Sequence, residues 1–332
     1  MNRHQRSSPM AEEVQLTVQT NKTQFPTTGG QQLAYVLIEA QPTAVIAEVQ
    51  MPLNFSLVLD HSGSMSGEKL ASMKAAAKLA VDQMGPQDQV SIVVFDDKVK
   101  LITPSQPVTD PAAIQRQIDA IRDGGGTKIS GGMRAGLKEL DKGLAPGRIS
   151  RMLLLTDGET FGDEDTCHKL AVQAGKQNIA IIALGLGEEW NAELLDAIAE
   201  ASGGVSDFIP ADQPDVILNA FQRQVQTAQA TVVQNAQLIL RLVPGVLPRA
   251  VWRTMPLIAK LGHRALSDRD VQVTLGDLDR EQGQGVLVET LVAPRQPGTY
   301  RIAQAEVTYD VPATGLTGEK VKTDIVVHFT SD

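Results

Sequence analysis

The sequence predicts an α/β fold, a doubly wound and mostly parallel six-stranded sheet, inserted into a second, all-β sandwich domain. Three observations carry that expectation. Across residues 51–228, short apolar runs alternate with segments of helical periodicity, the signature of a parallel sheet covered on both faces. On either side of that region the hydrophobic pattern has a period of two, as in half-buried strands. Two of the central apolar runs also end in aspartate, Asp60 and Asp157, at the strand ends where sheets of this kind bind their ligands.

Residues 1–12 carry no periodicity and are expected to form a disordered tail. Val14, Leu16 and Val18 alternate with Gln15, Thr17 and Gln19, which makes a strand. Thr27 to Gly30 reads as loop and residues 34–40 as a second strand, and the segment bracketed by Pro42 and Pro52 is expected to be extended. Strand 55–59 then precedes a helix with Leu70, Met73, Ala77, Ala80 and Met84 at helical spacing, stopped by Gly85-Pro86. Strand 90–95 turns at Asp96-Asp97 into an antiparallel edge strand at 98–102. Asp110-Pro111 starts a helix that buries Ile114, Ile118 and Ile121. A loop of three glycines, 124–126, leads to Thr127 and a helix carrying Met133, Leu137 and Leu140. Strands at 152–156, 179–184 and 205–209 follow, with helices after each, the last running from 213 to about 228. From Ala230 onward, strands read at 238–242, 271–275, 285–292, 299–309 and 322–329. The domain expectation is therefore a tail at 1–12, an α/β domain at 51–228, and one discontinuous β-sandwich of residues 13–50 plus 229–330.

Composition narrows the function classes. The 332 residues carry a net charge of −9 with no cluster of Lys and Arg, which argues against nucleic acid as a partner. No apolar stretch is long enough to span a bilayer, so membrane insertion is not expected. The polar N-terminal stretch lacks the apolar core of a secretory signal, and one cysteine, Cys167, leaves no internal disulfide to form. A cytoplasmic location is the expectation. Aromatic residues make up 4% of the chain, so its cores must rest on Val, Ile, Leu and Ala.

In the strand order 3-2-1-4-5-6, the crevice that binds ligands lies between the first and fourth strands. Here those strands end at Asp60 and Asp157. Asp60, Ser62, Ser64, Thr127 and Asp157 would bring five oxygen groups to that crevice, and two carboxylates so placed repel each other unless a cation lies between them. Mg²⁺ suits such a set because it accepts a few protein oxygens and keeps waters or an open position; Mn²⁺ and Ca²⁺ are alternatives.

The run Asp60-His61-Ser62-Gly63-Ser64-Met65, with Thr127 and Thr156-Asp157-Gly158, resembles the von Willebrand factor type A domain and its metal-ion-dependent adhesion site, of bacterial type. The pattern D-x-S-x-S, a distant Thr and a distant Asp is filled at all five positions, and the resemblance covers residues 53–227. It implies that Ser62, Ser64 and Thr127 ligate a metal through their hydroxyls, with Asp60 and Asp157 acting directly or through water. It also implies that an Asp or Glu side chain of a partner protein completes the coordination. His61 is expected at the surface, Asp163 to Asp165 as a solvated first helical turn, and Cys167 in the core.

Catalytic patterns are missing from the sequence. No G-x-S-x-G, H-E-x-x-H or Walker A run occurs, and Ser62 stands where metal-dependent phosphotransferases place a second carboxylate. The expectation is a non-enzymatic, divalent-metal-dependent protein-binding module. The alternatives are a metal-assisted hydrolase, or a scaffold or adaptor of an ATPase assembly in which the metal is only structural.

Overall fold

The chain divides into two units, residues 50–231 and the segments on either side of them. The computed structural model describes residues 13–47, 51–160, 162–187, 190–210, 214–255, 258–261, 264–267 and 270–331. The tail expected at 1–12 lies outside the described residues, as does the expected start of the last helix at 213.

The flanking unit begins with β1 (Val14–Thr20), β2 (Gln24–Pro26) and β3 (Gln32–Pro42). Where an extended segment was expected after Pro42, one helical turn, α1 (Ala44–Ala47), is found instead. It places Ile46 in the apolar core, 3% exposed, and that burial outweighs the extended bias near proline.

The central unit then runs β4 (Leu53–Asp60), α2 (Glu68–Asp82), β5 (Gln89–Phe95), β6 (Val99–Pro107), α3 (Pro111–Asp119), α4 (Ile129–Gly143), β7 (Ile149–Thr156), α5 (Glu164–Lys176), β8 (Ala180–Leu186), α6 (Ala192–Ser202), β9 (Val205–Ile209) and α7 (Pro214–Ala230). Its sheet has the order β6-β5-β4-β7-β8-β9, with β6 antiparallel to β5 and the other pairs parallel. Counted within the unit this is 3-2-1-4-5-6, so the switch point falls between β4 and β7. All eight residues of β4 and of β7 are buried, because helices cover both faces. Val58, Phe95, Met152 and Leu154 point into one apolar core with α4, α5 and α6, while α2 packs against α3 and α7. Close approach of α4 depends on Gly136: a Cβ there would stand 2.5 Å from Val58 Cγ2 and 2.9 Å from Met152 Cε.

The flanking unit resumes with β10 (Thr231–Leu242), β11 (Val246–Met255), β12 (Ala259–Leu261), β13 (Arg264–Ser267), β14 (Asp270–Asp279), β15 (Gln284–Val292), β16 (Gly298–Val311) and β17 (Leu316–Thr330). Two sheets result, β1-β3-β15-β11-β12 and β13-β14-β10-β16-β17-β2. The N-terminal strands thus join strands nearly 250 residues or more away in sequence: β3 pairs antiparallel with β15, and β2 pairs parallel with β17. Val36, Ile38, Leu238, Leu240, Val286, Val288, Val307 and Phe329 from the two sheets share one apolar core. The Phe25 and Phe329 rings lie 5.7 Å apart and pin β2 to its partner. Four strands were not expected: β2, β11, β12 and β13. β11 carries Pro248 in its run, which removes a ladder donor and reads as a break; the register shifts between Pro248 and Ala250, so a bulge accommodates it.

Candidate metal centre

Asp60 is the last residue of β4, and its side chain is completely buried. Its Oδ1 accepts the Ser62 N–H at 2.8 Å, closing a turn that lifts the chain out of the sheet. Its Oδ2 accepts the Thr156 hydroxyl at 2.6 Å, which ties the end of β4 to the end of β7. Buried Met65 anchors the turn from below, and Gly67, at φ +74°, delivers the chain into α2.

A hydrogen-bonded path then crosses the switch point. Ser62 Oγ lies 3.1 Å from Ser64 Oγ, and Ser64 Oγ donates to Asp157 Oδ1 at 2.7 Å. The Lys69 ammonium, from the first turn of α2, donates to Asp157 Oδ2 at 2.5 Å. Asp157 is 1% exposed. Burial pushes the Asp60 carboxyl above its usual range; the hydrogen bonds from Thr156 and Ser62 pull it down, and the Asp157 charge adds to the rise. Asp60 and Asp157 are thus two buried carboxylates at one crevice, and the Lys69 ammonium sits on Asp157.

Thr127 reaches the same place by a different route. The loop 124–126 is fastened to the Asp60 turn by Gly124 N–H to the His61 carbonyl (2.7 Å) and Gly63 N–H to the Gly125 carbonyl (2.9 Å). It is fastened to the β5–β6 turn by Gly125 N–H to Asp96 Oδ2 (3.0 Å) and Gly126 N–H to Asp97 Oδ2 (2.9 Å). A Cβ on Gly125 or Gly126 would come within 2.6 Å of the Asp97 carboxylate and push it off the Gly126 amide. Thr127 itself lies against Gly158, its Oγ1 3.2 Å from where a Cβ on Gly158 would be. The structure thus brings Asp60, Ser62, Ser64 and Asp157 into one hydrogen-bonded chain and sets Thr127 beside the residue that follows Asp157.

Three groups were missed or misjudged in the sequence. Lys69 was not singled out, although a cation in the first turn of a helix opposes the helix dipole and signals an anion nearby. His61 is not a plain surface residue: its ring is 13% exposed, Nδ1 donates to the Arg122 carbonyl at 2.7 Å, and Nε2 lies 3.8 Å from Asp96. Burial works to raise the Asp96 carboxyl, but the amides of Gly125 and Lys98 and the His61 charge hold it below the usual carboxylate range. Asp163 is not solvated either. It is buried, accepts the Ser130 N–H at 2.8 Å and takes the Thr160 hydroxyl, while Thr160 Oγ1 accepts from the Ile129 N–H at 3.3 Å. The loop after Asp157 therefore caps the helix after Thr127, joining two of the expected ligands through α4. Cys167 is buried among core residues, as expected, and burial pushes its thiol up to about 12.

The donor set fits a small hard cation. Its atoms are all oxygens, two of them from carboxylates with incomplete charge compensation, and hydroxyls with carboxylates suit Mg²⁺ or Mn²⁺ over softer metals. No group of three or more His, Cys, Asp or Glu side chains converges among the described residues, so the Ser and Thr hydroxyls would have to supply the remaining ligands. No helix among the described residues is long and apolar enough to cross a membrane.

Comparison with known proteins bears on the family and the fold. Residues 54–224 match a family model described as von Willebrand factor type A domain. An uncharacterized protein of Synechocystis is 35% identical over 276 residues, which cover 81% of this chain and 64% of that protein. Human inter-alpha-trypsin inhibitor heavy chain H4 is 29% identical over 198 residues, covering 55% of this chain and 21% of that one. The chain thus spans less than two thirds of the length of these relatives. Among solved structures, a von Willebrand factor type A protein from Catenulispora acidiphila shares the fold over 98% of this chain and 76% of its own, with a TM-score of 0.76 at 18% identity. The ArnB paralog VWA2 of Sulfolobus acidocaldarius matches 96% of this chain and 76% of its own, at a TM-score of 0.55 and 16% identity.

Proposed function

The chain belongs to the von Willebrand factor type A family, and on that premise we propose that it is a non-enzymatic protein-binding module that works through a divalent cation, Mg²⁺ or Mn²⁺. The observation that carries this reading is the pair of buried carboxylates, Asp60 and Asp157, linked through Ser62 and Ser64 at the switch point of the sheet. Ser62, Ser64, Thr127, Asp60 and Asp157 would hold the cation, with Thr156 and the Ser62 N–H fixing the Asp60 carboxylate. When bound, the cation supplies a Lewis-acidic open position that takes a carboxylate oxygen from an Asp or Glu of a partner protein. The Asp96 and Asp97 carboxylates hold the glycine loop, and through it Thr127, at the rim.

The flanking strands we read as one discontinuous β-sandwich, residues 13–50 plus 229–330, into which the α/β domain is inserted. The β3–β15 and β2–β17 pairings and the shared apolar core support that reading. With one cysteine in the chain, we place it in the reducing cytoplasm.

The test uses immobilised full-length chain in Mg²⁺. A specific partner is expected to be retained, to elute with EDTA, and to be lost with Asp60→Ala or Asp157→Ala chains that still fold. Retention that is indifferent to EDTA and to both substitutions would contradict the proposal.

A further inference from the structure

Lys69 has no place in the ligand pattern, yet it makes the closest contact in the site. Its Nζ lies 2.5 Å from Asp157 Oδ2, with the Asp157 side chain 0% exposed and its own side chain 28% exposed. Asp157 is thereby fully engaged, one oxygen by the Ser64 hydroxyl and the other by the ammonium. Lys69 is the second residue of α2, where the positive end of the helix repels a cation. Something must offset that repulsion, and the buried Asp157 charge does.

We propose that Lys69 is the resident counter-cation of the site: it neutralises Asp157 while no metal is bound and is displaced to solvent when a divalent cation enters. The inference rests on the metal-site reading above. A buried carboxylate stripped of its partner is strongly destabilising, so the ammonium keeps Asp157 and Ser64 arranged in the metal-free chain. A dication and an ammonium on the same carboxylate repel at short range with little water to screen them. Lysine can leave easily, because its stem is long, its charge hydrates well, and its side chain already touches solvent.

Charge arithmetic gives the exchange a direction. Asp60 and Asp157 with Lys69 sum to −1; with a dication in place of Lys69 they sum to zero; with both present they sum to +1. A monovalent ion replacing Lys69 leaves the sum at −1 and gains nothing. The ammonium thus screens the site against Na⁺ and K⁺ and sets a threshold concentration for divalent ions.

The experiment compares wild type, Lys69→Gln and Lys69→Met full-length chains, titrated with Mn²⁺ by calorimetry and melted in EDTA or saturating Mn²⁺. Both variants are expected to bind Mn²⁺ roughly tenfold tighter, equivalent to about 1.4 kcal/mol. They should melt lower than wild type in EDTA and close to it in Mn²⁺. In wild type, acetylation of Lys69 by an amine reagent, read by mass spectrometry, is expected to rise several-fold on adding Mn²⁺, with exposed Lys138 unchanged. Should the variants unfold in EDTA yet fold in Mn²⁺, the proposal is supported; should they fold in neither, the wild-type labelling decides. Wild-type Mn²⁺ binding with unchanged variant affinity and unchanged Lys69 labelling would overturn the counter-cation and leave the metal site standing. Absence of Mn²⁺ binding in wild type and both variants would overturn both.

Discussion

Replacing Asp60 by asparagine separates what the site costs from what it does. The Asp60 carboxylate is completely buried and accepts two hydrogen bonds, at 2.8 and 2.6 Å. Burial nevertheless lifts its pKa, so the desolvation of the charge outweighs those bonds. An asparagine of the same shape keeps Oδ1 for the Ser62 N–H. Its amide can donate to Thr156 Oγ1, whose hydroxyl can turn to the Gly158 carbonyl 3.4 Å away. Exchanging charged for neutral hydrogen bonds forfeits about 1 kcal/mol each, against relief from a buried-ion penalty of several kcal/mol. Asp60→Asn is therefore expected to be more stable than wild type in EDTA by about 1 kcal/mol, or about 2–4 °C in midpoint for a domain of this size.

Divalent cation reverses the order. At a hundred times its dissociation constant a native-state ligand adds about 2.7 kcal/mol, which wild type gains and the variant does not. Scanning calorimetry with and without Mn²⁺ should show the two midpoints crossing. In EDTA the Asp60 contribution is favourable at low pH and lost as pH rises through its raised folded pKa; the asparagine chain lacks that limb. A variant that melts well below wild type in EDTA, or that gains as much from Mn²⁺, would refute the reasoning.

Three further outcomes follow from other parts of the molecule. Hydrogen bonds from Arg241 and then Lys322 push the Glu306 carboxyl from an ordinary 4.5 down to about 2. Stability from that cluster is present above pH 4.5 and is lost as pH falls toward 2; with Arg241 and Lys322 half in solvent it amounts to about 1 kcal/mol, and acid titrations of Glu306→Gln should show a shallower limb. Asp163→Ala uncaps α4 and is expected to cost about 1–2 kcal/mol in urea unfolding, with weaker Mn²⁺ binding because Thr127 precedes that helix. Gly136→Ala overfills the contact of α4 with Val58 and Met152 and is expected to cost about 1–3 kcal/mol, despite alanine's better helix propensity; a gain in urea midpoint would contradict that packing.

Much of the central unit was readable because its signals are local. Runs such as Leu153-Leu154-Leu155 have no polar face and must be buried strands, Asp96-Asp97 marks the turn to the antiparallel edge, and strand-final aspartates mark the crevice. The roles of Lys69, Asp163 and the β5–β6 turn were not readable, because each acts on residues tens of positions away through one or two hydrogen bonds. A lysine beside a glutamate in a first helical turn reads as solvated until the fold brings Asp157 to it. Asp163 likewise reads as the start of α5, while its carboxylate in fact serves α4. In the flanking unit, β11 was hidden by Pro248, whose break in the pattern the bulge absorbs.

Crystals of the full chain soaked in Mn²⁺ and measured at the manganese absorption edge put the central claim to the most direct test. The expected result is one anomalous peak in the crevice bounded by the side-chain oxygens of Asp60, Ser62, Ser64, Thr127 and Asp157, with the Lys69 ammonium withdrawn. A map with no peak in that crevice, while Lys69 stays on Asp157 at saturating Mn²⁺, would contradict the claim.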